Sequence, residues 1–462
     1  MPSYRTLSIK NADDLVFGVS PHPIRLKNGL VIGGGKVFPE LNFTLPDMLI
    51  DAGSMPEVRS QYTQMIQDAT RRAAALNVPG LVVEYELLPE LTLNPAWGAE
   101  IAALLHKNLV KAQEEYGFPT ALRVTPNDIR EFTRPPLLRH GQHVDEMFRS
   151  FELCAQAGAD FLAIESTGGK EVHDDAILNG DLPVSVFALG VLGSRDIAFL
   201  WQRIVSIANQ YGCTASADSA CGFANTAMVL AEQHFIPRVW AAVIRVMTVA
   251  RSLVAFEQGA IGPGKDCAYE GPYLKAITGC PIALEGAEAA CAHFSSIGNI
   301  AKATPDLWSN ESVNNVKLLA GMAPTVSVEQ LIYATRLMNT SSAQGKDAAQ
   351  MLRDWFVQSD ADFDPQAYVL VPEVVIDLAG KIISEPTPYL RTRRAARETL
   401  AALRSAYEKK VFELSGVELR WLDKLAREAD ALPDDEDAFI ASVLPRIDRS
   451  KVHLEEYDIK TS

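Results

Sequence analysis

The run Thr214-Ala-Ser-Ala-Asp218, followed by Ser219-Ala-Cys-Gly-Phe-Ala-Asn-Thr226, indicates the fold and contains a candidate functional residue. The first five residues form a short extended run, and apolar side chains recur at helical spacing from Thr226 to Gln233. The sequence therefore predicts a strand, a turn and a helix, with Cys221 near the helix N-terminus. A helix N-terminus favours the thiolate, the form of cysteine that binds metal or attacks carbon.

The same alternation of helix and strand recurs upstream. Helices are predicted at 56–77, 99–116, 144–157 and 197–211, and strands at 80–86, 122–125, 161–165 and 215–218. Such alternation is typical of parallel strands joined by right-handed crossovers, in an open doubly wound sheet or a closed barrel. No strand is followed by a Gly-x-Gly-x-x-Gly turn, which disfavours a dinucleotide-binding sheet.

Polar residues recur where the predicted strands end, at Glu84, Glu86, Asn127, Glu165 and Asp218. In a (β/α)8 barrel the carboxyl ends of the strands all open onto one face, where the active site is built. The sequence therefore predicts an α/β fold, a (β/α)8 TIM barrel.

Extensions are predicted on both sides of the barrel. The segment from Tyr4 to Met55 contains several prolines and is predicted to form an irregular arm. We assign residues 1–75 to this arm and its helix, 76–340 to the barrel, and 341–462 to a helical extension. A strand is predicted at 282–285, and helices at 313–319, 328–339 and 390–424. The arginines near the start of the last helix are interpreted as a solvated face, and the acidic residues 434–437 as a helix N-terminus.

Composition excludes several classes of function. The 462 residues carry a net charge of -15, which argues against nucleic acid as the main partner. The first ten residues lack the apolar core of a signal peptide, and polar or charged residues interrupt the long apolar stretches. We therefore expect a cytoplasmic protein.

The six cysteines are expected to be core thiols, metal ligands or nucleophiles rather than disulfides, because a cytoplasm is reducing. Cys154 and Cys213 lie in apolar segments and are interpreted as structural. No Cys-x-x-Cys, His-x-x-x-His or Gly-x-Ser-x-Gly motif is present. Gly259 to Lys265 has P-loop spacing, but Asp266 replaces the magnesium-binding Ser or Thr and a helix precedes it, so nucleotide binding is disfavoured.

Glu165, Cys221 and Cys267 remain, on three predicted loops of one barrel face. They form a candidate metal site. On these residues alone, buried core cysteines are the stronger interpretation, because cysteine is among the most buried residue types. Cys280 and Cys291 lie close enough in sequence to compete with Cys267 as a ligand.

Longer runs of sequence resemble a known family. They are residues 218–232, 252–260 and 262–270, with shorter matches at 274–279, 290–293, 306–312 and 321–325. These runs are similar to the zinc-containing, substrate-activating subunit of the methanol:corrinoid methyltransferases, over about residues 13–376. The resemblance implies a barrel whose zinc is held by Glu165, Cys221 and Cys267, with Cys280 as the alternative to Cys267.

The resemblance also implies a function. Zinc would activate methanol, and the methyl group would pass to the Co(I) corrinoid of a separate corrinoid protein, since no Asp-x-His-x-x-Gly corrinoid signature is present. The family suggests a homodimer within a hetero-oligomer. Two alternatives are the same chemistry on another methyl donor, such as a methyl ether or larger alcohol, and a catalytically silent scaffold that binds the corrinoid protein. Asp218, Asn225 and Glu84 either support the ligands or serve only as caps and loop hydrogen bonds.

Overall fold

A parallel sheet forms the centre of the computed structural model, which describes residues 4–45, 48–265, 267–314 and 316–460. The strands are β1 (Val19–Arg25), β2 (Val31–Gly34), β3 (Phe38–Thr44), β4 (Leu81–Glu86), β5 (Thr120–Thr125), β6 (Phe161–Ile164), β7 (Thr214–Asp218), β8 (Ala283–Glu285), β9 (Leu307–Val313), β10 (Lys317–Leu318) and β11 (Gly321–Met322). Within the described residues the central sheet has the order β7-β6-β5-β4-β3-β9-β8, with every neighbouring pair parallel.

The segment 261–264 closes this sheet into a barrel by bridging its two edges. The backbone N–H of Ile261 donates to the carbonyl of Ala215 in β7 at 2.9 Å. On the other side, Gly264 pairs in parallel with Ile282, and the N–H of Ala283 in β8 donates to the Gly264 carbonyl at 2.7 Å. Seven strands and this short segment fill the eight positions of the barrel, as the sequence predicts.

Helices cover the outside of the barrel. They are α1 (Met55–Ala75), α2 (Pro89–Leu93), α3 (Pro95–Tyr116), α4 (Gln142–Gln156), α5 (Lys170–Asn179), α6 (Leu182–Phe187), α7 (Ser194–Tyr211), α8 (Cys221–Glu232), α9 (Arg238–Glu257), α10 (Gly271–Thr278), α11 (Ala287–Ala292), α12 (Ala323–Ala343), α13 (Lys346–Asp360), α14 (Pro365–Tyr368), α15 (Pro372–Ile383), α16 (Pro388–Glu408), α17 (Gly416–Asp430) and α18 (Glu436–Val443). A π-helical turn, Ala188–Gly193, joins α6 to α7.

The hairpin of β1 and β2 closes the amino-terminal end of the barrel. Ile24, Leu30 and Ile32 from the hairpin pack against apolar residues near the start of the strands, including Phe38 and Val82. These side chains form an apolar cluster separate from the main core. The carboxyl ends of the strands are therefore left as the mouth of the barrel.

The N-terminal arm is shorter than the sequence analysis assigns. Residues 38–44 form β3, which pairs with both β4 and β9 at the centre of the sheet. The barrel thus begins inside the range 1–75. Pro39 hides this strand, because proline is rarely found in a central strand.

The helix predicted at 313–319 is wrong. The first residue of this segment belongs to β9, and its last residues belong to the small β10–β11 hairpin. Asn315 lies outside the described residues. Asp266, in the P-loop-like stretch considered above, also lies outside them. Val313, Val316 and Leu319 recur at helical spacing, but all three are exposed. They therefore do not form the buried face of a helix.

The helical extension packs onto the barrel through α16, which lies along α9. Arg391 of α16 is 1% exposed and pairs with Glu257 at 2.8 Å, and Arg393 is buried beside Asp434. The prediction of a solvated arginine face is wrong for these two residues. The acidic helix start is confirmed, since the Asp435 carboxylate accepts from the backbone N–H of Ala438 at the beginning of α18.

Two helical stretches, Leu182–Tyr211 and Arg238–Glu257, are long and apolar enough to cross a membrane. Such stretches were not expected from the sequence. Of their most apolar windows, 83% and 100% respectively are buried inside the protein. This burial identifies both as core helices of the fold.

Candidate metal centre

Glu165, Cys221 and Cys267 come together at the mouth of the barrel. Glu165 directly follows β6, Cys221 begins α8 just after β7, and Cys267 follows the segment that closes the barrel. One potential ligand atom from each residue lies within 4.8 Å of the other two. The three residues singled out from the sequence therefore form one cluster.

The structure joins Cys221 to Cys267 as a disulfide, with Cα atoms 5.3 Å apart. This pairing differs from the expectation that the cysteines are reduced. The Cα separation suits a disulfide, and it also brings both sulfurs within reach of the Glu165 carboxylate. Two sulfurs and one carboxylate oxygen are a donor set that zinc accepts, and metal binding requires the thiolate form of both cysteines.

The other cysteines lie elsewhere. Cys280 is buried, and it precedes β8 in the chain. The carbonyl of the neighbouring Gly279 accepts from the backbone N–H of His22 in the β1–β2 hairpin, which covers the amino-terminal end of the barrel. Cys291 is exposed and Cys154 is buried in α4, while the Cys213 thiol donates to the Ala159 carbonyl at 3.1 Å. Among the described residues, Cys267 is thus the one of the three competing cysteines that lies beside Glu165 and Cys221.

Polar groups contact both sulfurs. The side-chain amide of Asn225, one helical turn after Cys221, donates to the Cys221 sulfur at 3.1 Å. The Cys267 sulfur lies 3.7 Å from the Ser219 hydroxyl and 3.7 Å from Glu165 Oε1. Asn225 is therefore the candidate supporting residue that directly touches a predicted ligand.

The other two candidate supporting residues, Asp218 and Glu84, contact neighbours of the predicted ligands. The Asp218 carboxylate accepts from the backbone N–H and hydroxyl of Ser166 at 3.2 and 3.0 Å, and from the Trp201 indole at 2.9 Å. It therefore holds the residue that follows Glu165. Glu84 accepts from the Thr125 hydroxyl at 2.6 Å and pairs with Lys265 at 3.1 Å.

Lys265 is a site residue that the sequence analysis does not identify. Its Nζ lies 2.8 Å from Glu165 Oε1, 3.1 Å from Glu84 Oε1 and 3.3 Å from Glu86 Oε2, and the side chain is 5% exposed. Burial disfavours its charge, but the surrounding carboxylates outweigh burial and raise the pKa of Lys265 well above its usual value. The available signal was its position two residues before the candidate ligand Cys267.

The mouth holds more acid than base. Glu285 on β8 and Glu311 on β9 add to the carboxylates around Lys265, and burial raises the pKa of both. Repulsion from Glu311 adds to the rise in the pKa of Glu285, and repulsion from Glu86 adds to the rise in the pKa of Glu311. Burial also raises the pKa of Glu165 to about 7, with Lys265 opposing the rise and Glu86 adding to it. The Glu165 side chain remains 27% exposed. A cation at this cluster would relieve the excess of buried negative charge.

Comparisons with known proteins agree with this picture. Residues 1–458 match the model of the family described as methanol-cobalamin methyltransferase B subunit, MtaB, so the match includes the helical extension beyond residue 376. The methanol–corrinoid protein co-methyltransferase of Methanosarcina barkeri is 36% identical over 448 residues, which are 96% of each chain. A chain in the crystal structure of the methanol:cobalamin methyltransferase complex MtaBC from Methanosarcina barkeri is 34% identical, with a TM-score of 0.95, over 99% of this chain and 100% of that one. The chain therefore belongs to the family of methanol-cobalamin methyltransferase B subunits.

Proposed function

We propose that the protein activates methanol at a zinc ion held by Glu165, Cys221 and Cys267, and transfers the methyl group to the Co(I) corrinoid of a separate protein. The observation that supports this most is the clustering of these three side chains at the barrel mouth of a member of this family. Zinc bound there would supply Lewis acidity toward the alcohol oxygen.

The overall reaction is balanced by one proton. In the proposed reaction the methyl C–O bond would break, the Co(I) electron pair would form the new C–Co bond to give methyl-Co(III) on the partner, and the oxygen would leave as water after taking up a proton. Methanol has a poor leaving group, so the charge that develops on its oxygen must be stabilised in the transition state.

The residues of the chain would tune this site. Two thiolates and one carboxylate place three anionic donors around a dication, and the carboxylate is a weaker electron donor than a third thiolate. The Asn225 amide at 3.1 Å withdraws further charge from the Cys221 sulfur. Both features favour a more electrophilic metal.

The cobalt is proposed to arrive on a corrinoid protein that docks over the mouth of the barrel. The relative of known structure is part of a complex, MtaBC, which supports such a partner. We further propose a homodimer of this subunit within the hetero-oligomer, located in the cytoplasm.

Metal analysis of protein purified under reducing conditions tests the site. We expect about one zinc per chain in the wild type and a loss of most of it in Cys221→Ser and Cys267→Ser. Cys280→Ser is the matched control, because this buried cysteine lies outside the cluster and should leave zinc unchanged. Zinc-free wild-type protein, or a Cys267→Ser variant with full zinc content, would contradict the proposal.

A panel of methyl donors tests the substrate. Methyl transfer is followed by the loss of Co(I) absorbance on the corrinoid partner, with methanol, larger alcohols and methyl ethers. We expect methanol to react fastest. A faster reaction with another donor would identify that donor, rather than methanol, as the substrate. Binding of the partner without methyl transfer from any donor would indicate a scaffold protein.

A further inference from the structure

The loop Glu165–Gly169, between β6 and α5, is anchored at successive residues after the candidate ligand. Asp218 holds Ser166, and the Asp128 carboxylate accepts from the backbone N–H of Thr167 at 2.8 Å and from its hydroxyl at 3.0 Å. The last anchor comes from the other end of the chain. The N–H of Gly169 donates to the hydroxyl of Tyr457 at 2.8 Å, across 288 residues of sequence.

The backbone conformation of Gly169 restricts this position to glycine. Its φ of +85° lies in the left-handed region, and a Cβ there would approach the Ala188 carbonyl oxygen and the Leu192 Cβ to 2.9 Å. Glycine is therefore required at this position. Gly169 is the N-cap residue of α5, and its backbone N–H donates to the Tyr457 hydroxyl.

Tyr457 is itself firmly held. It is 3% exposed, and its carbonyl accepts from Arg195 Nη1 at 2.9 Å. The neighbouring Glu456 carboxylate, 4% exposed, accepts from the backbone N–H groups of Leu138 and Arg139 at 2.9 and 2.8 Å. The segment 454–458, which we call the C-terminal clasp, is thus fixed to the barrel by its own buried contacts.

A buried ionic network also supports the loop. Arg130 pairs with Asp128 at 2.7 Å and with Asp196 at 2.7 Å, and these three side chains are almost completely buried. Asp128 is the residue that holds Thr167. The clasp reaches this network through Leu138, whose N–H donates to Glu456 and whose carbonyl accepts from Arg130 Nη1 at 3.1 Å.

We propose that the C-terminal clasp is a positioning element of the metal centre, acting through the Tyr457 hydroxyl on the loop that carries Glu165. This inference rests on the proposed function, because it takes Glu165 to be a metal ligand. It assigns a role to the end of a helical extension whose purpose the sequence does not indicate.

Tyr457→Phe tests the proposal, since it removes only the hydroxyl. We expect zinc affinity, measured by competition with a chromophoric chelator, to fall about tenfold, as is usual for the loss of a group that orients a ligand. Tyr389→Phe is the matched control. The Tyr389 hydroxyl also hydrogen-bonds to the backbone, but it donates to the Pro433 carbonyl within the extension, so its loss should leave zinc affinity unchanged.

A spectroscopic readout separates positioning from general stability. With Co(II) in place of zinc, we expect the visible absorption of Tyr457→Phe to differ from that of the wild type and Tyr389→Phe to match it, even where both variants lose similar thermal stability. Zinc affinity within twofold of wild type and an unchanged Co(II) spectrum in Tyr457→Phe would overturn the inference.

The outcomes also separate this inference from the proposed function. Wild-type protein that binds no zinc refutes the proposed function and the inference about the clasp. Tight zinc binding by the wild type, with no effect of Tyr457→Phe, refutes only the positioning role of the clasp. Should Tyr457→Phe not fold, Glu456→Gln takes its place, because it loosens the clasp at Leu138 and Arg139. We expect a severalfold loss of zinc affinity in that variant, and an unchanged affinity would refute the proposal.

Discussion

His173 should make the protein acid-sensitive. This side chain, in α5, is 0% exposed, and its ring centroid lies 5.2 Å from that of Phe223. Neither ring nitrogen has a hydrogen-bond partner among the described residues. Burial, helped by the positive charges of Lys170 and Arg251, lowers the pKa of His173 from 6.5 to about 3. The folded protein therefore keeps this histidine neutral where the unfolded chain binds a proton.

The sign and size of the effect follow from this difference. Above pH 6.5 the histidine is neutral in both states and adds no pH dependence. Below pH 6.5 the unfolded state gains the proton, so stability falls by about 1.4 kcal/mol per pH unit until the folded pKa is reached. Between pH 7.5 and 5.0 the expected loss is about 2 kcal/mol.

Urea unfolding of the metal-free protein at both pH values measures this loss. The variant His173→Leu removes the titration and both unpaired ring nitrogens, so it should be nearly as stable as the wild type at pH 7.5 and lose about 2 kcal/mol less on acidification. His22→Gln, which replaces an exposed histidine, serves as the control. Equal losses in the wild type and His173→Leu would refute this account of the buried ring.

Three further outcomes are expected. Asn225→Ala should weaken zinc binding about tenfold in a chelator competition, because the amide no longer orients the Cys221 sulfur; unchanged affinity would show that this contact is incidental. Zinc uptake by the reduced metal-free protein should weaken by at least about tenfold per pH unit below pH 7, since the Glu165 carboxyl, with its pKa raised to about 7 by burial, must lose its proton to bind metal. Arg123→Met should destabilise the fold by about 3–5 kcal/mol in urea unfolding because it strands the buried Glu40 carboxylate, and the double variant with Glu40→Leu should recover much of the loss; no recovery would mean that packing dominates.

Strands that alternate regularly with helices were predictable from the sequence, and β3 and β9, which lie outside that alternation, were not. β4 to β7 follow the predicted alternation with helices, and the structure confirms them. In β3, Glu40 and Asn42 alternate with Leu41 and Phe43, and Pro39 obscures the pattern. In β9, Ser309, Asn310 and Ser312 are buried without being apolar. Because these buried side chains are polar, hydrophobic periodicity cannot reveal the strands that carry them.

Part of the site was predictable for a different reason. Glu165, Cys221 and Cys267 were identified because the runs around them resemble a family, whereas their spacing alone favoured ordinary core cysteines. Their clustering needs the closed barrel, in which β6, β7 and the segment 261–264 lie side by side. Lys265 and Tyr457 act through contacts across 100 or more residues of the chain, and no local pattern encodes such contacts.

The β1–β2 hairpin covers the amino-terminal end of the barrel, so the candidate metal centre faces the opening at the carboxyl ends of the strands. In the proposed reaction, methanol, water and the corrinoid of the partner would share this opening. The alcohol would then have to bind before the partner docks, and a large excess of partner protein would be expected to slow turnover.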